Sequence, residues 1–423
     1  MPVLPAEWFG RPRRAASGEG TTGQVVAPVR RPTPEFRTTV YYFTTFMSTG
    51  AAVAYAGIWF EARGLNSTEI GIVNALPVFI MLGLNLLVGR LADRASDWRQ
   101  VIVLGAWLGA LIPFGLFLAD GFWGILLVWT AAALPLAAIG PVADAAALRM
   151  TKRNGTDFGA IRATGTVGYM LFNALTGLVI AGLGAWSFLP LFVLLNGLRA
   201  LASLLLPRFR APTEAATLAA AKPALEARRL SDVLKPWFLL PLVGSSIVFG
   251  THIILNAFAA LLWKEQGIPE SIIGPLIALA ALAEAATMYA YRRFGGRYSA
   301  RSLMIVAALT AAARWAAMGL SPPVAVLAFL QLLQSLTFAA GYLGTVHFIA
   351  KWTSEDIAAE AQSLFVVLQQ ATSVIALTGF GWLVGLIGAR AYFAAALCAL
   401  VGAGCIWVSM RLRQPQAEPA AGK

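Results

Sequence analysis

Glu284 is the one acid in "IALAALAEAATMYAY", residues 277–291, set among alanines and leucines with no cation beside it. An acid inside so apolar a run belongs at membrane depth, where an ionisable side chain is by default a functional one, and its chemistry is to take up and release a proton. His252 is the other candidate for that work, and Asn256 lies one turn from it on the same helical face. A core histidine bonded to a backbone carbonyl is the competing reading of His252. Counting from the ends of the apolar runs puts Gln334, Gln369 and Gln370 at similar depth, so these amides form a polar belt suited to holding a small solute. Tyr42 and Phe46, beside Tyr41 and Phe43, either line the same cavity and suit a ring-bearing solute or serve packing alone. Arg314 either snorkels outward or helps to hold an anion; its depth differs from that of Glu284 by nine residues, roughly 13 Å of helical rise, so straight helices predict no contact between them. Arg199 reads as snorkelling or structurally paired, and His347, close to Lys351, as structural.

Two further constellations hold charge of both signs. "GRLADRASDWRQ", residues 89–100, packs Arg90, Asp93, Arg94 and Arg99 into a short hairpin between two apolar runs. Its cations obey the rule that retains positive loops in the cytoplasm, which leaves Asp93 unexplained. Asp144 and Arg162 sit at matching depth on successive runs, where an isolated charge costs about 2.5–3.5 kcal/mol and pairing offsets it. They form either a structural ion pair or a gate that breaks during a working cycle.

The elements that position these groups follow from hydropathy. The chain has 423 residues, 58% hydrophobic and 12% charged, with a mean hydropathy of +0.71. A bilayer core needs roughly 20 apolar residues per helix. Twelve such runs lie near 37–60, 68–90, 99–119, 122–148, 159–184, 186–206, 237–262, 271–291, 300–319, 323–349, 357–386 and 388–410. The fold class expected is therefore an all-α membrane protein, since a barrel would alternate over short strands. With both termini in the cytoplasm, Arg90, Arg94, Arg99, Arg149, Lys152, Arg153, Arg292, Arg293, Arg297 and Arg301 all fall inside, while Arg63, Lys264 and Arg390 face out. The net charge of +12 thus reports topology, and cations scattered over several loops do not suit nucleic acid. Cys398 and Cys405 are seven residues apart on one helix, roughly 10.5 Å, too far for a disulfide.

Residues 1–35 lack an apolar core and read as a disordered, solvated cytoplasmic tail, with contact of Arg13, Arg14, Arg30 and Arg31 to lipid phosphate as the alternative. Residues 207–236 are the longest internal polar segment and act as a cytoplasmic linker between an N-terminal six-helix bundle, 36–206, and a C-terminal one, 237–411, with 412–423 as a second tail. "YRRFGGRYSARS", residues 291–302, repeats the position of the first basic hairpin in the second half, as an internal repeat of a transporter would.

Gly89-x-Leu91-Ala92-Asp93-Arg94 followed by Arg99 resembles the loop between helices 2 and 3 of the major facilitator superfamily. The resemblance implies that this hairpin latches the two halves at the cytoplasmic side, and Ser354, a plausible N-cap of the eleventh helix in "TSEDIAAE", makes that helix end a candidate partner for Asp93. Pro141, Asp144, Phe158, Gly159, Arg162, Gly165, Thr166 and Gly168 resemble the junction of helices 4 and 5 in the phenylpropionate permease-like branch, related to lactose permease and nucleoside:proton symporters. Members of that branch commonly carry an acid on helix 8, which Glu284 matches. They often read Gln-x-x-His on helix 10, where this chain has Gln331-Leu332-Leu333-Gln334. Gln334 cannot titrate, so a proton role for that position is either absent or moved to His252 or His347.

No phosphate-binding loop, zinc helix or metal-ligand cluster is present in the sequence, and no enzyme or cofactor is expected. The expectation is a proton-coupled symporter of a small organic solute such as an aromatic carboxylate, working by alternating access as a monomer in the bacterial inner membrane. Proton-antiport efflux of hydrophobic compounds and a non-transporting membrane sensor are the alternatives. The expected site comprises Glu284 and His252 for the proton; Tyr42, Phe46, Asn256, Arg314, Gln334, Gln369 and Gln370 for the solute; and Gly89, Asp93, Arg94, Arg99, Asp144 and Arg162 for a cytoplasmic gate.

Overall fold

The computed structural model describes residues 32–209, 234–294, 298–353 and 355–412, with the backbone alone at 85–94, 292–294 and 355–359. All regular elements among the described residues are helical. In chain order they are α1 (Pro34–Ala62), α2 (Ser67–Arg94), α3 (Trp98–Leu111), α4 (Gly121–Asn154), α5 (Phe158–Leu183) and α6 (Phe188–Leu204). They continue as α7 (Pro236–Glu265), α8 (Glu270–Phe294), α9 (Ala300–Met318), α10 (Val324–Trp352), α11 (Glu355–Ile387) and α12 (Tyr392–Arg411). Nine stretches of the described residues are long and apolar enough to cross a membrane, one of them running through α11 and α12 together. Neither α1, rich in Thr and Tyr, nor α9, with Arg301 and Arg314, is among the nine.

Local chemistry sets the helix ends. Thr33, Asp97, Asp157 and Ser299 each cap an N-terminus with a side-chain oxygen on a free backbone N–H. The fourth helix runs beyond its apolar stretch to Asn154, because Lys152 and Arg153 suit a C-terminal turn and Gly155 closes it in the left-handed region at φ 66°. Pro113 falls where α3 tightens into a 3-10 turn, Ile112–Phe117. Two π turns interrupt long helices, Leu255–Ala259 within α7 and Ser335–Ala340 within α10.

Packing divides the helices into two groups. α1 lies against α5 and α6, and α3 against α4 and α6; α7 lies against α11 and α12, and α9 against α10 and α12. The groups meet along α2 with α11 and along α5 with α8, and glycine permits both crossings. A Cβ on Gly71 would stand 2.5 Å from the Leu377 carbonyl oxygen, and one on Gly381 2.6 Å from that of Ser67. On the other seam, a Cβ on Gly177 would strike the Tyr55 hydroxyl and the Glu270 carbonyl, and one on Gly274 the Asn173 carbonyl. Tyr55 Oη donates to that Glu270 carbonyl at 3.0 Å, so α1, α5 and α8 are stitched at the same point. All these contacts lie at the end of the molecule that carries Arg63 and Lys264, which are paired there with Asp120 and Glu270.

At the opposite end, the chain leaving α6 is held within its own half. Arg37 donates to the Leu205 and Leu206 carbonyls, Arg99 to Leu204 at 2.8 Å and Arg153 to Phe209 at 3.1 Å, while Asp97 accepts from the Phe209 N–H. Leu206 and Phe209 are buried beside Trp98 and Ile102.

Candidate functional site

Between the two groups of helices lies a cavity of about 870 Å³. α1 and α5 furnish one wall, with Phe46, Val53, Arg162, Thr166 and Tyr169; α7, α8, α10 and α11 furnish the other, with His252, Asn256, Glu284, Gln334 and Gln369 among its residues. Rings of Phe249, Trp263, Phe338 and Tyr342 fill in between. Among the lining residues Arg162 is the one cation and Glu284 the one acid.

Arg162 enters from the first turns of α5. Its guanidinium lies 4.5 Å over the Phe46 ring, and its Nη1 is 3.5 Å from Asp144 Oδ1 on α4. That same oxygen accepts a 2.7 Å hydrogen bond from the Tyr42 hydroxyl. Arg162 and Asp144 are each close to half exposed, so the pair is a wetted one of modest strength, held by the tyrosine. Tyr42 was expected in the cavity wall; it is buried behind it, because Asp144 draws its hydroxyl toward α4. The large flanking rings are close-packed against small residues, as Gly165 and Gly168 on α5 allow Phe46 and Phe43 of α1 to approach.

Glu284 sits in the middle of α8, facing Tyr169 of α5 across the cavity within electrostatic reach. Its carboxyl lies within reach of the Gln334 side chain. Gln334 in turn accepts a bond of 2.6 Å from Arg314 Nη1 through its Oε1, which leaves its amide N–H₂ for the acid. Arg314 also donates to Thr337 Oγ1 at 3.1 Å and to Gln331 Oε1 at 3.0 Å, and it lies over the Trp315 ring at 4.9 Å. Arg314 was expected to help hold the solute. It is instead wholly buried behind Gln331 and Gln334, and it reaches Glu284 through Gln334. The 13 Å offset of straight helices is bridged by two long side chains, and the π turn that follows Gln334 brings Thr337 round to the same guanidinium.

His252 is buried in the wall, its ring 5.1 Å from that of Trp315 and 5.7 Å from that of Phe338. Its Nδ1 makes a 2.8 Å bond to the Val248 carbonyl one turn back, so Nδ1 carries the proton and Nε2 of the neutral ring is a bare acceptor. Nε2 has no hydrogen-bond partner among the described residues. Asn256, Gln369 and Gln370 all reach the cavity.

Other nominated residues stand apart. Arg99 turns to the Leu204 carbonyl inside its own half, so its guanidinium does not latch the two halves in this conformation. The side chains of Gly89, Asp93 and Arg94, and Ser354 as a whole, lie outside the described residues. Arg199 does not snorkel; it is buried and donates to Asn196 Oδ1 at 2.6 Å. His347 is bonded to the Tyr291 hydroxyl at 2.8 Å. Sequence reasoning passed over Tyr169 and named Gln331 only within the helix-10 motif, without a place in the site. Both had a signal: Tyr169 is two turns from Arg162 on one face of α5, and Gln331 is one turn from Gln334 on α10.

The profile of the MFS_1 like family matches residues 36–400. Over 369 residues the chain is 26% identical to the "Probable 3-phenylpropionic acid transporter" of Escherichia coli (strain K12), covering 85% of this chain and 93% of that protein. It is 28% identical to the maltose permease of Geobacillus stearothermophilus over 288 residues, 67% of this chain and 71% of that one. Among solved structures, the nucleoside transporter NupG superposes with a TM-score of 0.78 at 18% identity, covering 90% of this chain and all of that one. A D-xylose-proton symporter superposes with a TM-score of 0.66 at 13% identity, covering 88% and 96%. The chain therefore belongs to the MFS_1 like family, and it is an integral, multi-pass membrane protein of the major facilitator superfamily that transports a solute.

Proposed function

We propose that the protein is a proton-coupled symporter of a small aromatic carboxylate. The observation that carries this reading is the charge inventory of the cavity wall: one cation, Arg162, lying over an aromatic ring, and one acid, Glu284, deeper in the same cavity on the other half. In the empty site Arg162 balances Asp144, and Arg314 balances Glu284 through Gln334. A carboxylate arriving at Arg162 adds one negative charge to a low-dielectric space. A proton on Glu284 removes one, so solute and proton load together and leave together.

Around this site the reading includes twelve membrane-spanning helices with both termini in the cytoplasm of a bacterial cell, an N-terminal bundle over 36–206 and a C-terminal bundle over 237–411. The glycine seams then form the outer seal, and the cavity is the inward-open state. Asp144 and Arg162, with Gly89, Asp93, Arg94 and Arg99 of the first hairpin, form the cytoplasmic gate that closes when the halves rock. The partners are the solute, the proton and lipid, and the working unit is a monomer.

The test is uptake of 3-phenylpropanoate into proteoliposomes, with and without an imposed inward proton gradient. The gradient is expected to drive accumulation in the wild type. Glu284→Gln abolishes accumulation and retains part of the exchange of internal for external solute. Uphill uptake by Glu284→Gln overturns the assignment of the proton to Glu284, and equal wild-type flux with and without the gradient overturns symport.

A further inference from the structure

The cavity wall carries more hydrogen-bonding capacity than an unsubstituted phenyl ring can use. Resting on the reading above, we infer that the solute's ring bears a hydroxyl group, received by the wall of the C-terminal half where His252 and the amides stand.

Arg162 is in the second turn of α5, and Tyr169 is seven residues further on, about 10.5 Å deeper. Tyr169 is the residue that faces Glu284. A carboxylate anchored at Arg162 therefore directs a ring on a short alkyl arm toward the level of Glu284, with Phe46 beside the arm. The opposing wall includes His252, Asn256, Gln334 and Gln369. An unsubstituted ring would strip water from these groups and return no hydrogen bond. A site built this way rejects a ligand that lacks the matching polar group, because its own buried groups are left unpaired.

Two atoms make the match specific. His252 Nε2 is an unpaired acceptor, since Nδ1–H is committed to the Val248 carbonyl. Gln331 Nε2 is an unpaired donor, since the other end of that amide is committed to Arg314. Both side chains belong to the cavity wall, with the two nitrogens closed to solvent in this conformation, so a hydroxyl reaches them only by displacing what covers them. A hydroxyl is one donor joined to an acceptor, the complement of such a wall, whereas a methyl or a halogen is not.

The experiment compares 3-phenylpropanoate with its ring-hydroxylated counterparts, 3-(hydroxyphenyl)propanoates, in the same proteoliposomes. The expected result is a KM about tenfold lower for at least one hydroxylated isomer, the worth of one well-made hydrogen bond. In His252→Phe, which keeps an aromatic ring and removes the acceptor, the ratio of the two KM values falls to about one. Equal KM values in the wild type overturn the inference and leave the symporter reading intact, and so does a preference that survives in His252→Phe. Uptake of neither acid overturns the symporter reading for this substrate class, and the inference with it.

Discussion

Substituting Gly274 by Ala tests the seam between α5 and α8. The new Cβ would stand 2.3 Å from the Asn173 carbonyl oxygen and 2.7 Å from the Tyr55 hydroxyl, where ordinary contact begins at 3.4 Å. One obstacle is backbone, which cannot swing aside, so α8 must retreat from α5 by about 1 Å. Overpacking of this kind costs about 1–3 kcal/mol, and here it is levied only in the conformation where α5 and α8 touch. The population moves toward the opposite conformation by about 5–150-fold. The assay is alkylation of a single cysteine, Ala281→Cys in the cavity wall with Cys398 and Cys405 replaced, by a bulky impermeant maleimide added from the side of Arg63 and Lys264. Gly274→Ala should accelerate labelling within that range, and Gly71→Ala on the other seam should do the same through the Leu377 carbonyl. A labelling rate within twofold of the parent, in protein that melts at the parent's temperature, would refute the argument that these glycines seal that end.

Arg199→Met should leave melting temperature unchanged or raise it, by up to about 1–4 kcal/mol of stability, because the buried guanidinium has a neutral amide rather than a carboxylate as its hydrogen-bonding partner. Arg314→Lys should behave oppositely: an ammonium cannot span Gln331, Gln334 and Thr337 together, and each acceptor left unpaired costs about 1–3 kcal/mol, read as a lower melting temperature. Its uptake should fall further than its stability explains, since Gln334 loses the bond that orients it to Glu284. Tyr42→Phe should raise the KM for a carboxylate solute by a few-fold, because Asp144, freed from the hydroxyl, competes more effectively for Arg162; the effect is about 1 kcal/mol at a half-exposed pair, and an unchanged KM would detach Tyr42 from the gate.

The membrane character of the chain and the depth of its polar residues were legible because hydropathy and helical rise are one-dimensional quantities. Glu284 stands out by its apolar flanks, Asn256 by its turn from His252, and His252, Gln334, Gln369 and Gln370 by depth; all of them line one cavity. Direction around the helix axis was less legible. Tyr42 and Phe46 are one turn apart on α1, yet Phe46 faces the cavity while Asp144 draws Tyr42 away from it. Arg99 read as part of a latch between halves, but the carbonyls left free at the end of α6 are the nearer acceptors. Backbone acceptors of this kind have no sequence signature.

The link from Arg314 to Glu284 shows what a count of rise omits. A glutamine side chain accepts at one atom and donates at another, so Gln334 passes the orientation of a fixed cation to an acid that the cation does not touch. A histidine at that position could do so only in one tautomer and would add a charge of its own when protonated. Glutamine keeps the bridge at every pH. On the symporter reading proposed above, the titratable step is thereby confined to Glu284, with the Nδ1–H of His252 already committed to Val248. Gln334→His should restore a second titrating group beside Arg314. On that reading wild-type exchange follows the protonation of Glu284 alone, and Gln334→His should add a second loss of activity as pH falls through the imidazole range. An identical pH profile in both proteins would mean that the Gln334 bridge does not govern the proton step.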